Sequence, residues 1–251
     1  MKHFINKILI TNDDGYNAVG LKVLKYIAKK FSDDITIVSP KHNQSAKSRS
    51  ITLKDKVFFE QKENNEWIVD GTPTDCVIFA LNHIMKINKP DLILSGINAG
   101  SNIGDEVSYS GTVAAAMEGA LRGINSIALS QLGGDHNSNS YSCSMNYSVE
   151  IIKNILKIKT KLPLYFNVNF PLNISESNNS NFLYTKLASQ KKSDEIFVHN
   201  SESSYKIGRM LNSYQTTQET DMDALRKNKI SLTPLTLDLT NISLFNQLNK
   251  R

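Results

Sequence analysis

The sequence predicts an α/β protein: a doubly wound, mostly parallel sheet with β-hairpin extensions and an extended C-terminal arm. Three observations carry that expectation. Short aliphatic runs alternate with stretches of helical periodicity from Lys7 to Val168, and the runs tend to end in polar or breaker residues. Eleven of the 12 glycines lie at or before Gly134, so the tight backbone turns are confined to the first part of the chain. From Asn173 to Thr220 the chain is instead rich in Ser and Asn, with alternating segments such as Phe182 to Leu187, which read as surface loops and extended arms.

Lys7 to Thr11 (KILIT) reads as a buried strand, and Asn12-Asp13-Asp14-Gly15 breaks it. Leu21, Leu24, Ile27, Ala28 and Phe31 then recur at helical spacing, predicting a helix over Val19 to Phe31. Ile35 to Val38 is the next strand, which completes a βαβ unit. Ile51 to Val69 alternates and predicts β-hairpin material beside the main sheet. A helix over Asp75 to Met85 follows, then a strand over Asp91 to Leu94 that ends in Ser95-Gly96. Thr112 to Leu121 is a helix, Ser126 to Ser130 a strand, Val149 to Ile158 a helix and Leu164 to Val168 a strand. These make a single domain over residues 1–251, with a core of about 1–172 and an arm and C-terminal segment of about 173–251.

Composition bounds the function. Apolar residues at 40% and charged residues at 21% suit a chain that buries a core and exclude a collagen-like or coiled-coil protein. Apolar runs are interrupted far short of the ~20 residues a bilayer crossing needs, and no signal peptide is visible. Two distant cysteines, Cys76 and Cys143, indicate neither a disulfide framework nor a zinc site, so the expected compartment is the cytoplasm. A net charge of +5 decides nothing about nucleic acid, because a basic surface also attracts small phosphorylated substrates.

In open α/β sheets, ligands bind beyond the carboxyl ends of the strands. Asp13 and Asp14 stand there after the first strand, and two adjacent carboxylates are held ionised most easily beside a hard divalent cation. Taken alone, an Asp-Asp-Gly more often merely caps the following turn. Gly96, Gly100, Gly104 and Gly111 fall within 16 residues, interleaved with Asn98 and Asn102, and would let backbone approach a ligand. Ser110-Gly111-Thr112 then opens a helix, whose N-terminus can seat a phosphate or carry an ordinary Ser/Thr cap. Thr74 or Asp75 reads as a helix cap and Cys76 as a buried apolar residue. Five scattered histidines, no Gly-x-Ser-x-Gly and no Walker-type Gly-Lys-Ser/Thr leave other chemistries without a motif.

Taken in order, TNDDG (Thr11 to Gly15), Pro40 with Gln44-Ser45, GTPTDCV (Gly71 to Val77), PDLILSGINAGSNIG (Pro90 to Gly104), YSGTVAAAMEG (Tyr109 to Gly119), FNVNFP (Phe166 to Pro171), Thr220-Asp221 and ISLTPL (Ile230 to Leu235) closely resemble the SurE family of survival-protein nucleotidases. The resemblance implies a Rossmann-like core, a C-terminal arm exchanged between subunits in a homodimer or homotetramer, and one divalent ion per subunit, Mn²⁺ or Mg²⁺. It implies metal ligands at Asp13, Asp14, Ser45 and Asn98, and substrate-phosphate contacts at Asn102, Ser110, Gly111 and Thr112. Ser45 comes from the resemblance alone. Ser39, Ala46, Val19 and Ser101 depart from the usual Ala, Gly, Pro and Pro, and bear on loop stiffness and substrate preference.

The expected activity is a metal-dependent phosphomonoesterase acting on nucleoside 5′-monophosphates, with 3′-monophosphates and short polyphosphate as further substrates. Asp13 and Asp14 are the catalytic candidates; Asp13 orients a water whose pKa the ion lowers. The alternatives are a nucleotide- or RNA-binding protein without hydrolysis, and a phosphatase for non-nucleotide phosphates. No membrane partner is expected, and nucleic acid is not the favoured partner.

Overall fold

The computed structural model describes residues 5–174, 180–189, 191–199, 203–212 and 218–249. In chain order the elements are β1 (Lys7–Thr11), α1 (Val19–Ala28), β2 (Asp34–Pro40), β3 (Phe59–Glu63), β4 (Glu66–Val69), α2 (Pro73–Phe79), β5 (Leu92–Ala99), α3 (Gly111–Leu121), β6 (Asn125–Gln131), α4 (Ser142–Leu156) and β7 (Tyr165–Phe170). They continue as β8 (Phe182–Tyr184), β9 (Lys191–His199), β10 (Ser204–Asn212), α5 (Asp221–Arg226), β11 (Ile230–Pro234) and α6 (Ile242–Leu248).

Nine strands form one sheet in the order β3-β4-β2-β1-β5-β6-β7-β11-β8, and β9 pairs with β10 as a separate antiparallel hairpin. Only β3 with β4 and β11 with β7 run antiparallel in the large sheet. Central strands are covered on both faces, which is why they read as unbroken aliphatic runs. Ile8, Ile10, Leu92 and Leu94 pack on one side with α1 and α4 residues such as Leu24, Ile27, Ile152 and Ile155. Leu9, Val38 and Ile93 face the other side, against Cys76, Val77 and Ala115 of α2 and α3. Burying each such aliphatic side chain contributes roughly 1.5–3 kcal/mol.

The chain leaves β1 toward β2 on one side and returns to place β5 on the other, so the order reverses between β1 and β5. That reversal opens a crevice at the carboxyl ends of these two strands.

Several expected boundaries move for identifiable reasons. The expected strand Asp91 to Leu94 runs on to Ala99 because Gly96, at φ +130°, and a register shift between Ser95 and Asn98 carry it past the apparent stop. A side chain at Gly96 would also meet the Leu129 carbonyl oxygen at 2.3 Å. The helix expected from Val19 to Phe31 ends at Ala28, and Lys29 to Phe31 close it with turn hydrogen bonds. The helix expected from Val149 starts at Ser142, seven residues earlier. Its first turns bury Cys143, Ser144 and Ser148 on one side, with the Ser144 N–H donating to Gln131 Oε1 at 3.0 Å and its hydroxyl to the Tyr141 carbonyl at 2.9 Å. The cap expected at Thr74 or Asp75 is Thr72, which exchanges hydrogen bonds with Asp75; α2 then passes into a π-helical turn over Ala80–Ile84.

The hairpin material of Ile51 to Val69 narrows to β3 and β4. It joins the main sheet, since β4 pairs parallel with β2. Within Asn173 to Thr220, residues 175–179, 190, 200–202 and 213–217 lie outside the described residues; the alternation from Phe182 yields the three-residue β8.

Candidate active site

Asp13 and Asp14 follow β1 after Asn12, at the crevice. Asp13 is only 4% exposed and lies on the N-terminus of α3. The Thr112 hydroxyl donates to its Oδ1, and the Thr112 peptide N–H also favours its charged form. Gly111 permits the approach: a Cβ there would stand 2.9 Å from Asp13 Cβ and 3.0 Å from its Oδ2. Burial pushes the Asp13 carboxyl up to about 6; Thr112 pulls it down and the neighbouring Asp14 charge adds to the rise. Asp14 is half-buried and also raised by burial, against the Ala99 N–H that donates to its Oδ2 at 2.9 Å and against nearby His136.

Asn98 precedes Ala99 on β5, and its side-chain N–H donates to the Gly100 carbonyl at 3.0 Å. Asp14 is therefore tied to the residue that follows Asn98. Ser45 enters by the loop after β2: the Gln44 N–H donates to the Asp13 carbonyl at 2.7 Å, and the Ser45 N–H donates to Asn43 Oδ1 at 2.8 Å. In the next position Ala46 sits at φ +60°, where an L side chain is strained and Gly is at ease. Asp13 is thus tied to the residue before Ser45, and Asp14 to the residue after Asn98.

Asn102 is held by a buried network. Its N–H donates to Asn169 Oδ1 at 2.8 Å, and its carbonyl accepts from Asn167 Nδ2 at 2.8 Å and Asn169 Nδ2 at 3.0 Å. Its own side-chain N–H donates to Ser130 Oγ at 2.8 Å. Ser110 is the N-cap of α3, its hydroxyl accepting from the Val113 N–H at 3.1 Å. In the Ser110-Gly111-Thr112 turn both hydroxyls are therefore engaged, one by the cap and one by Asp13.

Reasoning from residue chemistry missed the pins of this site. Asn167 and Asn169, two apart on β7 and so on one face, look in sequence like ordinary strand residues. Asp221 is fully buried at the start of α5; it accepts from Gly104 N at 2.7 Å, Ala188 N at 3.0 Å and Met222 N at 2.9 Å. Their recurrence in the motif string FNVNFP and Thr220-Asp221 was the available signal.

Two carboxylates with an amide and a hydroxyl nearby form an all-oxygen donor set, which fits a hard divalent cation rather than zinc in a Cys/His cage. Among the described residues no group of three or more His, Cys, Asp or Glu forms a richer ligand cluster.

Fold and site together define an α/β protein with a paired-carboxylate, oxygen-lined centre at the switch point of its sheet. Residues 8–194 match the family described as survival protein SurE, and the chain belongs to that family. It is 36% identical over 244 residues to the 5′-nucleotidase SurE of Methylorubrum populi, covering 94% of each chain. To the 5′-nucleotidase SurE of Paramagnetospirillum magneticum it is 39% identical over 238 residues, covering 94% of this chain and 91% of the relative. The crystal structure of the SurE protein from Aquifex aeolicus shares the fold with a TM-score of 0.81 at 31% identity, over 96% of this chain and 98% of that one.

Proposed function

We propose that this chain is a metal-dependent phosphomonoesterase that hydrolyses nucleoside 5′-monophosphates, with 3′-monophosphates and short polyphosphate as further substrates. The observation that carries it is the Asp13–Asp14 pair set against the N-terminus of α3 in the switch-point crevice, in a chain whose relatives are named 5′-nucleotidases. Asp13, Asp14, Ser45 and Asn98 would hold one Mn²⁺ or Mg²⁺, which supplies charge neutralisation and Lewis-acid polarisation when bound. At neutral pH Asp13 is ionised, its carboxyl titrating at about 6, and it orients the attacking water. The N-terminus of α3 and the clamped Asn102 meet the phosphoryl oxygens. The Ser110 and Thr112 hydroxyls are engaged, as are the Thr112 N–H by Asp13 and the Val113 N–H by Ser110, so the Gly111 N–H carries that role in the turn.

Phosphate release from nucleoside 5′- and 3′-monophosphates and sugar phosphates, with EDTA and then with Mn²⁺ or Mg²⁺, tests the proposal beside Asp13→Asn. Metal-dependent release from nucleotides, lost in the folded variant, is expected. Retained activity in Asp13→Asn would sink the assignment, and release from sugar phosphates alone would replace the substrate class.

Self-association belongs to the same proposal. The β9–β10 hairpin stands apart from the main sheet and exposes Ile196, Val198, Tyr205 and Ile207, paired on one face, as an apolar surface suited to a second copy. A cytoplasmic location agrees with the absence, among the described residues, of any helix long and apolar enough to cross a membrane.

A further inference from the structure

A cavity of about 390 Å³ begins at Ser110, the cap of α3, and runs along that helix to Met117. Its walls are largely apolar, with Val113, Met117, Tyr165 and Leu235 among them, and its size lies in the range of small-molecule sites. Arg49 is the one charged side chain among the described residues that line it. The loop bearing Arg49 is fixed to the wall by Ser48, whose N–H donates to the Tyr109 carbonyl at 3.0 Å and whose hydroxyl donates to the Ser108 carbonyl at 2.8 Å. The guanidinium itself donates to Met117 Sδ at 3.3 Å, a weak acceptor that a better one displaces at little cost.

Position separates Arg49 from the hydrolytic step. Met117 lies seven residues along α3 from Ser110, about 10 Å at 1.5 Å per residue. Held on the Met117 sulfur, the guanidinium is engaged along the helix rather than at the phosphate seat. It lies where the other end of a nucleotide would reach.

We propose that this cavity receives the base of the nucleotide and that Arg49 makes it select guanine over adenine. The inference rests on the nucleotide reading above. A guanidinium offers donors only, in a fork that matches the adjacent O6 and N7 acceptors of guanine; adenine sets an amino donor against it at the same edge. Selection therefore comes from an attraction to one base and a repulsion of the other.

The test compares 5′-GMP, 5′-IMP and 5′-AMP with wild type, Arg49→Met and Arg49→Lys, as kcat/KM with metal and as calorimetric affinity in EDTA. IMP keeps O6 and N7 but lacks the guanine amino group, so it isolates the edge that Arg49 reads. Wild type is expected to favour GMP and IMP over AMP by about tenfold. In Arg49→Met the ratio should fall to about one, and Arg49→Lys, lacking the fork, should recover only part of it. Each ratio is taken within one variant, so general loss of fold lowers both members together. A GMP-to-AMP ratio near one in wild type, or one that survives in Arg49→Met, overturns the proposal. Wild type that releases phosphate from no nucleotide overturns the nucleotidase reading instead; binding in EDTA then decides, and equal or unmeasurable affinity for GMP and AMP overturns the base selection as well.

Discussion

Thr112→Val is nearly isosteric and removes the hydroxyl that donates to Asp13 Oδ1. The Asp13 carboxyl is raised by burial from its ordinary value of 3.8 to about 6. Below 3.8 the acid is neutral in both folded and unfolded chains, and its contribution to stability is fully present. As pH rises through about 6 that contribution is lost, because the unfolded chain ionises the group more readily than the fold does. The Thr112 hydroxyl limits the loss by bonding to the charged form, and such a bond is worth about 1.5–3 kcal/mol against about 1 kcal/mol for a neutral one. The variant should therefore lose about 1.5–3 kcal/mol at pH 8 and about 1 kcal/mol at pH 4.5. Urea unfolding in EDTA at the two pH values reads this. With a slope of about 2–3 kcal/mol/M, the midpoint falls by roughly 1 M at pH 8 and by about one to two thirds as much at pH 4.5. Equal losses at both would refute the charge-assisted pairing of Asp13 with Thr112.

Asp13→Asn should abolish metal-dependent phosphate release while circular dichroism and the urea midpoint show a folded protein. Asp221→Ala strands the N–H groups of Gly104, Ala188 and Met222, which costs about 1–3 kcal/mol per buried group; hydrogen exchange at Gly104 and Ala188 should accelerate, and unchanged protection there would clear Asp221 of a positioning role. Ala46→Gly relieves a left-handed residue and should stabilise the protein by about 0.5–1 kcal/mol in urea unfolding, a loss instead showing that the loop tolerates Ala46 without strain. Val198→Glu, on the apolar face of the β9–β10 hairpin beside Tyr205, should shift sedimentation toward the monomer, and an unaltered profile would move the contact elsewhere.

Local chemistry made much of this legible. The strand Lys7 to Thr11 and the helix Gly111 to Leu121 were readable within a residue, because aliphatic runs, periodicity and a Ser cap are short-range signals. The Asp13–Asp14 pair was readable for the same reason: both carboxylates follow a strand end. Long-range packing hid the rest. Asn167 and Asn169 act on a residue 65 and 67 positions away, and Asp221 on one 117 positions away, separations that no window of residues spans. The polar start of α4 resembled a loop because Ser144 finds its partners only once Gln131 and Tyr141 are folded beside it. Arg49 carried no signal until a cavity formed around its guanidinium.

The grip on Asn102 consists of side-chain amides and one hydroxyl. Asn169 meets the Asn102 peptide as a neighbouring strand would, giving an N–H and taking one, so an irregular segment acquires the pairing of a sheet without its geometry. None of these groups ionises in the range where proteins are stable. Protonation of the two aspartates can therefore switch the charge at the centre of the crevice on and off while the frame around Asn102 keeps one shape, from mild acid to mild base.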